Sequence, residues 1–179
     1  MAKCPDLAGQ PDGNGADAVV ETGRPVRTTL CYLERDGQYL MMLRNKKAHD
    51  ANEGKYLGVG GKFLPGETPR ECALREINEE TGLSGGVLEG LEYRGIVHFV
   101  SDTFPDEDMY LFTCRLPEGF DPPLVECSEG TLCWVDIDAV ESLPLWEGDR
   151  LFLRELAAGA RDIHMRLIYQ GDSLAACEA

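Results

Sequence analysis

Apolar and polar positions sort the chain into short alternating or continuous runs separated by turn residues. Thr28-Thr29-Leu30-Cys31-Tyr32-Leu33 is β-prone, Asp36-Gly37 is a hairpin signal, and Tyr39-Leu40-Met41-Met42-Leu43 returns as a second strand. Residues 45–54 are polar and loop-like. Tyr56 to Val59 reads as a short strand that ends in Gly60-Gly61. The next segment carries the clearest helix signals. Thr68-Pro69-Arg70-Glu71 fits a capping box with proline at the first helical position, Ala73, Leu74 and Ile77 give an apolar stripe, and Gly82-Leu83 fits a C-terminal cap, so a helix is predicted over 69–81. Downstream, 95–100, 109–115 and 131–135 read as strands, Ile137-Asp138 as the start of a short helix, 147–158 as an amphipathic helix, and 163–169 as a last strand.

Strands and helices mix without regular β-α alternation and without an internal repeat. This predicts an α+β fold built as an α/β/α sandwich around a mixed β-sheet. Residues 1–23, rich in Gly, Asp and Ala, read as a flexible N-terminal tail. The folded domain is expected over 24–170, with a frayed C-terminal tail over 171–179.

Charge changes the picture more than size does. The 179 residues suit one domain, but 32 acidic side chains face 17 basic ones, a net charge of -15. Such a chain is a poor clamp for a nucleic-acid polymer, and a polyphosphate ligand would need cations to bridge it to the protein. Seven cysteines lacking any Cys-x-x-Cys pair give neither a zinc site nor a disulfide framework. Reduced thiols in a cytoplasmic protein are the simplest reading. The N-terminus lacks a signal-peptide pattern, and no apolar window is long enough to span a membrane.

On the predicted helix, Glu76, Glu79 and Glu80 fall at i, i+3 and i+4 and share one face. Clustered carboxylates repel one another, and an all-oxygen set suits Mg²⁺, with Mn²⁺ as a substitute. An isolated acidic helix face is commonly just solvated, but the surroundings change that reading. Gly61, five residues, Glu67, seven residues, Arg75-Glu76-Ile77, one residue, Glu79-Glu80, one residue and Gly82-Leu83 match the Nudix box in full. A chance match in this chain has a probability on the order of one in a million.

The chain therefore resembles Nudix hydrolases from about residue 26 to 170. The resemblance implies Mg²⁺ held by Glu76, Glu79 and Glu80, with a backbone carbonyl from Gly60 or Gly61. It also implies that Glu67 pairs with Arg75 in a structural role. Lys62 is a candidate to neutralise a phosphate oxygen. The base that activates water is sought among Glu76, Glu129 and Glu126. Glu129 occupies the place where MutT-type relatives often carry an extra metal-binding carboxylate.

The flanks, Thr28 to Tyr32, Gly58-Val59-Gly60-Gly61-Lys62-Phe63 and Leu145-Trp146-Glu147-Gly148-Asp149-Arg150, resemble MutT-type 8-oxo-dGTP diphosphatases. This implies base stacking on Trp146 and a hydrogen bond between the purine edge and Asp149 or the backbone near Gly148. Arg44, at the end of the second strand, is a candidate phosphate or base contact or a surface residue. Two positions depart from the pattern. Leu57 stands where some relatives place a base-contacting Asn, and Gly148 replaces one of two acids after the Trp. Oxidised guanine, oxidised adenine and undamaged nucleotides all stay open as substrates.

His98 takes the place of a proline typical of ADP-ribose pyrophosphatases, and Phe99-Val100-Ser101 lack the tyrosine typical of dinucleoside polyphosphate hydrolases; His98 reads as a strand residue. The expected partner is a small nucleotide, with no nucleic-acid polymer and no membrane, on a monomer or homodimer. A local basic patch at Arg44, Lys46 and Lys47 would favour an RNA 5′-end substrate. A non-catalytic nucleotide-binding module on the same scaffold is the alternative of another class.

Overall fold

The computed structural model describes residues 23–46, 50–123 and 125–179, so all but the last residue of the expected N-terminal tail lies outside the described residues, as does Lys47. The chain runs through β1 (Val26–Arg35), β2 (Gln38–Leu43), β3 (Tyr56–Leu57) and α1 (Pro69–Thr81). A 3₁₀ turn at Gly85–Leu88 leads to β4 (Glu92–Ser101), β5 (Glu107–Arg115) and β6 (Thr131–Asp136). A second 3₁₀ segment, Ile137–Ser142, precedes α2 (Asp149–Ala157), β7 (Ile163–Gln170) and β8 (Ser173–Glu178).

The strands form one sheet in the order β3-β2-β1-β5-β4-β7-β8, with β6 also on β2. β1 runs parallel to β5 and β4 parallel to β7, while the remaining pairs are antiparallel. The sheet is therefore mixed, as expected. Side-chain alternation along its strands sends residues to two cores. Leu30, Tyr32, Leu111 and Leu167 pack with Phe152, Leu153 and Leu156 of α2. Cys31, Leu33 and Phe112 pack with Ala73 and Ile77 of α1. One helix on each face makes the α/β/α sandwich.

α1 has the bounds its caps predict. Thr68 accepts from the Glu71 N–H while the Glu71 carboxylate accepts from the Thr68 N–H, and Gly82 closes the helix at φ 74°. Other boundaries differ. The expected short helix at 137 is a 3₁₀ segment, and α2 begins at Asp149 rather than 147. The C-terminal tail expected over 171–179 is corrected: 173–178 form β8, antiparallel to β7 after a turn at Gly171-Asp172. Among the residues of β8 only Leu174 is even partly buried, so this edge strand has no apolar alternation to announce it and is held by backbone pairing to β7.

Candidate active site

The site begins where β1 and β2 part. They pair only next to their turn, at Glu34↔Tyr39 and Arg35↔Gln38. Beyond that the segment 56–62 wedges between them. Tyr56 and Leu57 pair with β2, and Val59 and Lys62 bridge to Cys31 and Thr28 of β1. Backbone bonds from Cys31 N to Val59 O (2.7 Å) and from Thr29 N to Gly61 O (2.9 Å) fix it there. Glycine is required at this point by close approach. A Cβ on Gly60 would overlap the Thr29 carbonyl, and one on Gly61 would come within 2.5 Å of the Glu76 carboxylate.

This places the Gly60-Gly61 backbone against the acidic face of α1. Glu80 is buried and accepts the Gly60 N–H at 2.9 Å. Burial, with the charges of Glu76 and Glu129 adding to it, pushes its pKa up to about 8. Burial also raises Glu76, which accepts from Arg75 at 2.6 Å. Glu79 stands apart: its side chain is 58% exposed, and it touches Arg75 at 3.3 Å. Arg75 and Glu67 form the expected pair, Nε to Oε1 at 2.7 Å and Nη2 to Oε2 at 3.0 Å. That fork holds Glu67 down at about 2, and Glu67 in turn accepts the Leu64 N–H at 2.7 Å. Arg75 also donates to the Lys62 carbonyl at 3.0 Å, so the pair staples the loop to the helix.

Arg44 projects from the end of β2 to Asp50 at 2.7 Å and also pairs with Glu129. The arginine thus ties the 50–55 loop to the turn before β6. The basic patch envisaged at Arg44, Lys46 and Lys47 does not form among the described residues, because Arg44 lies between carboxylates and Lys46 pairs with Glu126 at 3.2 Å. Glu126 is largely exposed and does not line the cavity described next. His98 is a strand residue, as read, and bonds Asp108 across the β4–β5 pair at 2.7 Å.

A cavity of about 620 Å³ runs from this carboxylate end to an aromatic end. Gly60, Gly61, Lys62, Glu76, Glu80 and Glu129 line the first part; Leu57, Phe99, Phe104, Trp146 and Asp149 line the second, and Arg44 lies between. Of the predicted site residues, Glu79, the base candidate Glu126 and the staple residue Glu67 lie outside this lining. Trp146 is less open than a free stacking platform. It is only 8% exposed, Lys55 sits over its ring at 4.4 Å, and Phe104 and Tyr169 meet it edge to face. Asp149 is buried at the start of α2, and burial raises its pKa to about 7, against the opposing pull of Arg150 and Lys55.

Among the cavity residues that the sequence did not single out are Asn52, which accepts the Trp146 indole N–H at 2.7 Å, Asp50, Glu107 and Phe104. The first two lie in a polar loop with no periodicity, and nothing in the sequence points from them to their partners. Glu107 could have been found, because it breaks the apolar alternation of its strand.

The carboxylate end is suited to a hard divalent cation. Glu76, Glu80 and Glu129 repel one another in a partly buried space, a cost that a dication offsets. Among the described residues, no three acidic, imidazole or thiol side chains stand close enough to enclose an ion as they are. Glu76 is turned to Arg75, Glu80 to Gly60 and Glu129 to Arg44.

Comparison with known proteins shows the family and the fold. The model of the NUDIX domain matches residues 23–156. The chain is similar to YvcI of Bacillus subtilis, an uncharacterised Nudix hydrolase, at 27% identity over 80% of this chain and 86% of the relative. It is similar to the oxidized purine nucleoside triphosphate hydrolase of Danio rerio at 32% identity, over 69% and 74%. The fold is that of the crystal structure of a MutT protein from Bacillus halodurans, with a TM-score of 0.70, 24% identity and coverage of 86% of this chain and 96% of that one. The chain belongs to the Nudix family of hydrolases, which act on small nucleotide substrates and generally use divalent metal ions.

Proposed function

We propose that the protein hydrolyses purine nucleoside triphosphates, 8-oxo-dGTP foremost, to the monophosphate and pyrophosphate with Mg²⁺. The observation that carries this reading is the single cavity joining an acidic, glycine-backed end to an aromatic end with a buried carboxylate. The name of the Danio rerio relative points the same way.

Glu76, Glu80, Glu129 and the Gly60 carbonyl would hold the metal, since the Gly61 carbonyl already accepts the Thr29 N–H. Glu79 would join them by leaving Arg75. When bound, Mg²⁺ supplies charge neutralisation at the phosphates and acidifies the attacking water, and Mn²⁺ can substitute. Lys62 neutralises a phosphate oxygen. Arg44 holds Glu129 in place and sets the 50–55 loop. Water attacks a phosphorus, the bond to the leaving phosphate oxygen breaks, and the proton passes to Glu76 or Glu129. Glu126 does not line the cavity and pairs instead with Lys46.

At the other end Trp146 forms a wall for the base, with Lys55 moving aside, and Leu57 contributes an apolar contact. Asp149, with a pKa of about 7, offers the base edge either a proton or an acceptor. A cytoplasmic setting fits this role, and every described cysteine is a free thiol.

The test is a panel of kcat/KM values with Mg²⁺ on 8-oxo-dGTP, dGTP, 2-oxo-dATP, ADP-ribose and Ap4A. We expect 8-oxo-dGTP to exceed dGTP at least tenfold, about 1.4 kcal/mol in the transition state. Turnover confined to ADP-ribose or Ap4A would overturn the substrate assignment. No turnover of any of them would favour a binding module.

A further inference from the structure

On β5, Glu107, Met109 and Leu111 fall on the same face of the sheet. Leu111 and Trp146 are in the α2-side core, and Met109, Phe99 and Phe104 pack against it. The alternation calls for an apolar residue at 107, yet a glutamate is there. It is half-buried and lines the cavity. Its direct partner across the sheet is Phe99 of β4, so it lies at the aromatic end. Thr28, on the neighbouring strand and the same face, donates to it at 3.3 Å. A charge on an apolar floor is costly, and such local violations mark functional positions. A carboxylate would repel phosphates, so its place is with the base and not with the diphosphate.

We propose that Glu107 is a specificity-determining residue: its carboxylate accepts an N–H from the nucleobase and selects purines whose inner edge carries an amino group. This rests on the purine triphosphate reading above. Thr28 holds one carboxylate oxygen, which leaves the other for the base. A carboxylate aimed at ring N–H and amino donors discriminates against a base that lacks one of them, because the analogue leaves a buried acceptor without its partner. Burial raises the pKa of Glu107, while the Thr28 bond and the charge of Lys62 favour its ionised form.

The experiment compares kcat/KM for dGTP and dITP, which differ only in the 2-amino group, in the wild type, Glu107→Gln and Glu107→Met. Melting temperatures are recorded alongside. Wild type should prefer dGTP at least tenfold, and both variants should lose most of that preference. Glu107→Gln preserves shape and an acceptor for Thr28, so it keeps the test decisive should Glu107→Met fold poorly. A dGTP/dITP ratio within twofold of wild type in folded Glu107→Gln overturns the proposal while the substrate class stands. A wild type that does not discriminate the two bases overturns it equally. A wild type that hydrolyses no purine nucleoside triphosphate overturns both readings.

Discussion

The indole N–H of Trp146 is bound by the Asn52 side-chain oxygen at 2.7 Å, across 94 positions of sequence. The bond fastens the loop after β2 to the segment before α2, and it sets the angle at which Trp146 faces the cavity. The same loop is tied at its base, where Gly54 N–H meets the Arg44 carbonyl at 2.8 Å. Asn52→Ala leaves the indole donor without its partner, a loss of roughly 1–3 kcal/mol for a buried group. We expect KM for purine triphosphates to rise about 5- to 10-fold with kcat little changed. Steady-state kinetics check this, and an unaltered KM would remove Asn52 from base binding.

Glu80 and Glu79 are adjacent in sequence but differ in setting. Glu80 is buried against Gly60 while Glu79 is largely exposed. Glu80→Gln should lower kcat/KM by roughly 10²-fold or more, on the scale of losing one preorganised electrostatic contact. Glu79→Gln should cost less. The metal-free Glu80→Gln protein should also melt higher than wild type near pH 8, because a neutral amide avoids burying a charge. Mg²⁺-dependent turnover of Glu80→Gln at the wild-type rate would defeat the metal assignment.

Asp149 gives a pH signature. Burial raises its folded pKa from 3.8 to about 7. The folded state therefore binds this proton more tightly than the unfolded chain does. The stability it adds is complete below pH 3.8 and is lost as pH rises to about 7. At about 1.4 kcal/mol per unit the full effect is roughly 4 kcal/mol. Asp149→Asn should flatten that slope of unfolding free energy between pH 5 and 8. Denaturant titrations at the two pH values measure it.

Phe152 of α2 is fully buried between Tyr32 and the rest of the α2-side core. Phe152→Ala should destabilise the domain by about 3–5 kcal/mol through lost burial and a residual cavity. Urea denaturation reads this directly. Because the same core backs Trp146, KM should rise in the folded fraction.

Much of the chemistry was legible from spacing alone. Thr68, Pro69, Glu71 and Gly82 set the ends of α1, since caps are local interactions that a short window of residues can declare. The resemblance to the Nudix box also implied the Glu67–Arg75 pair that staples loop to helix. β8 was missed because an exposed edge strand leaves no apolar imprint. The sequence left a basic patch at Arg44 open because the charge of Arg44 is answered by Glu129, which is 85 positions away.

The sequence by itself determined the helix, its acidic face, the glycines beside it and the family. Each follows from residues within one turn or one loop of each other. Only the tertiary structure decided which carboxylates count. Glu80 is buried and Glu79 is not, although they are adjacent in sequence, because the wedge of 56–62 covers one side of α1 and not the other. The structure alone also brought Asn52 and Glu107 to the cavity that Trp146 and Asp149 line. Their meeting depends on the divergence of β1 and β2 and on the order of strands in the sheet. Those are long-range backbone arrangements that no local pattern encodes.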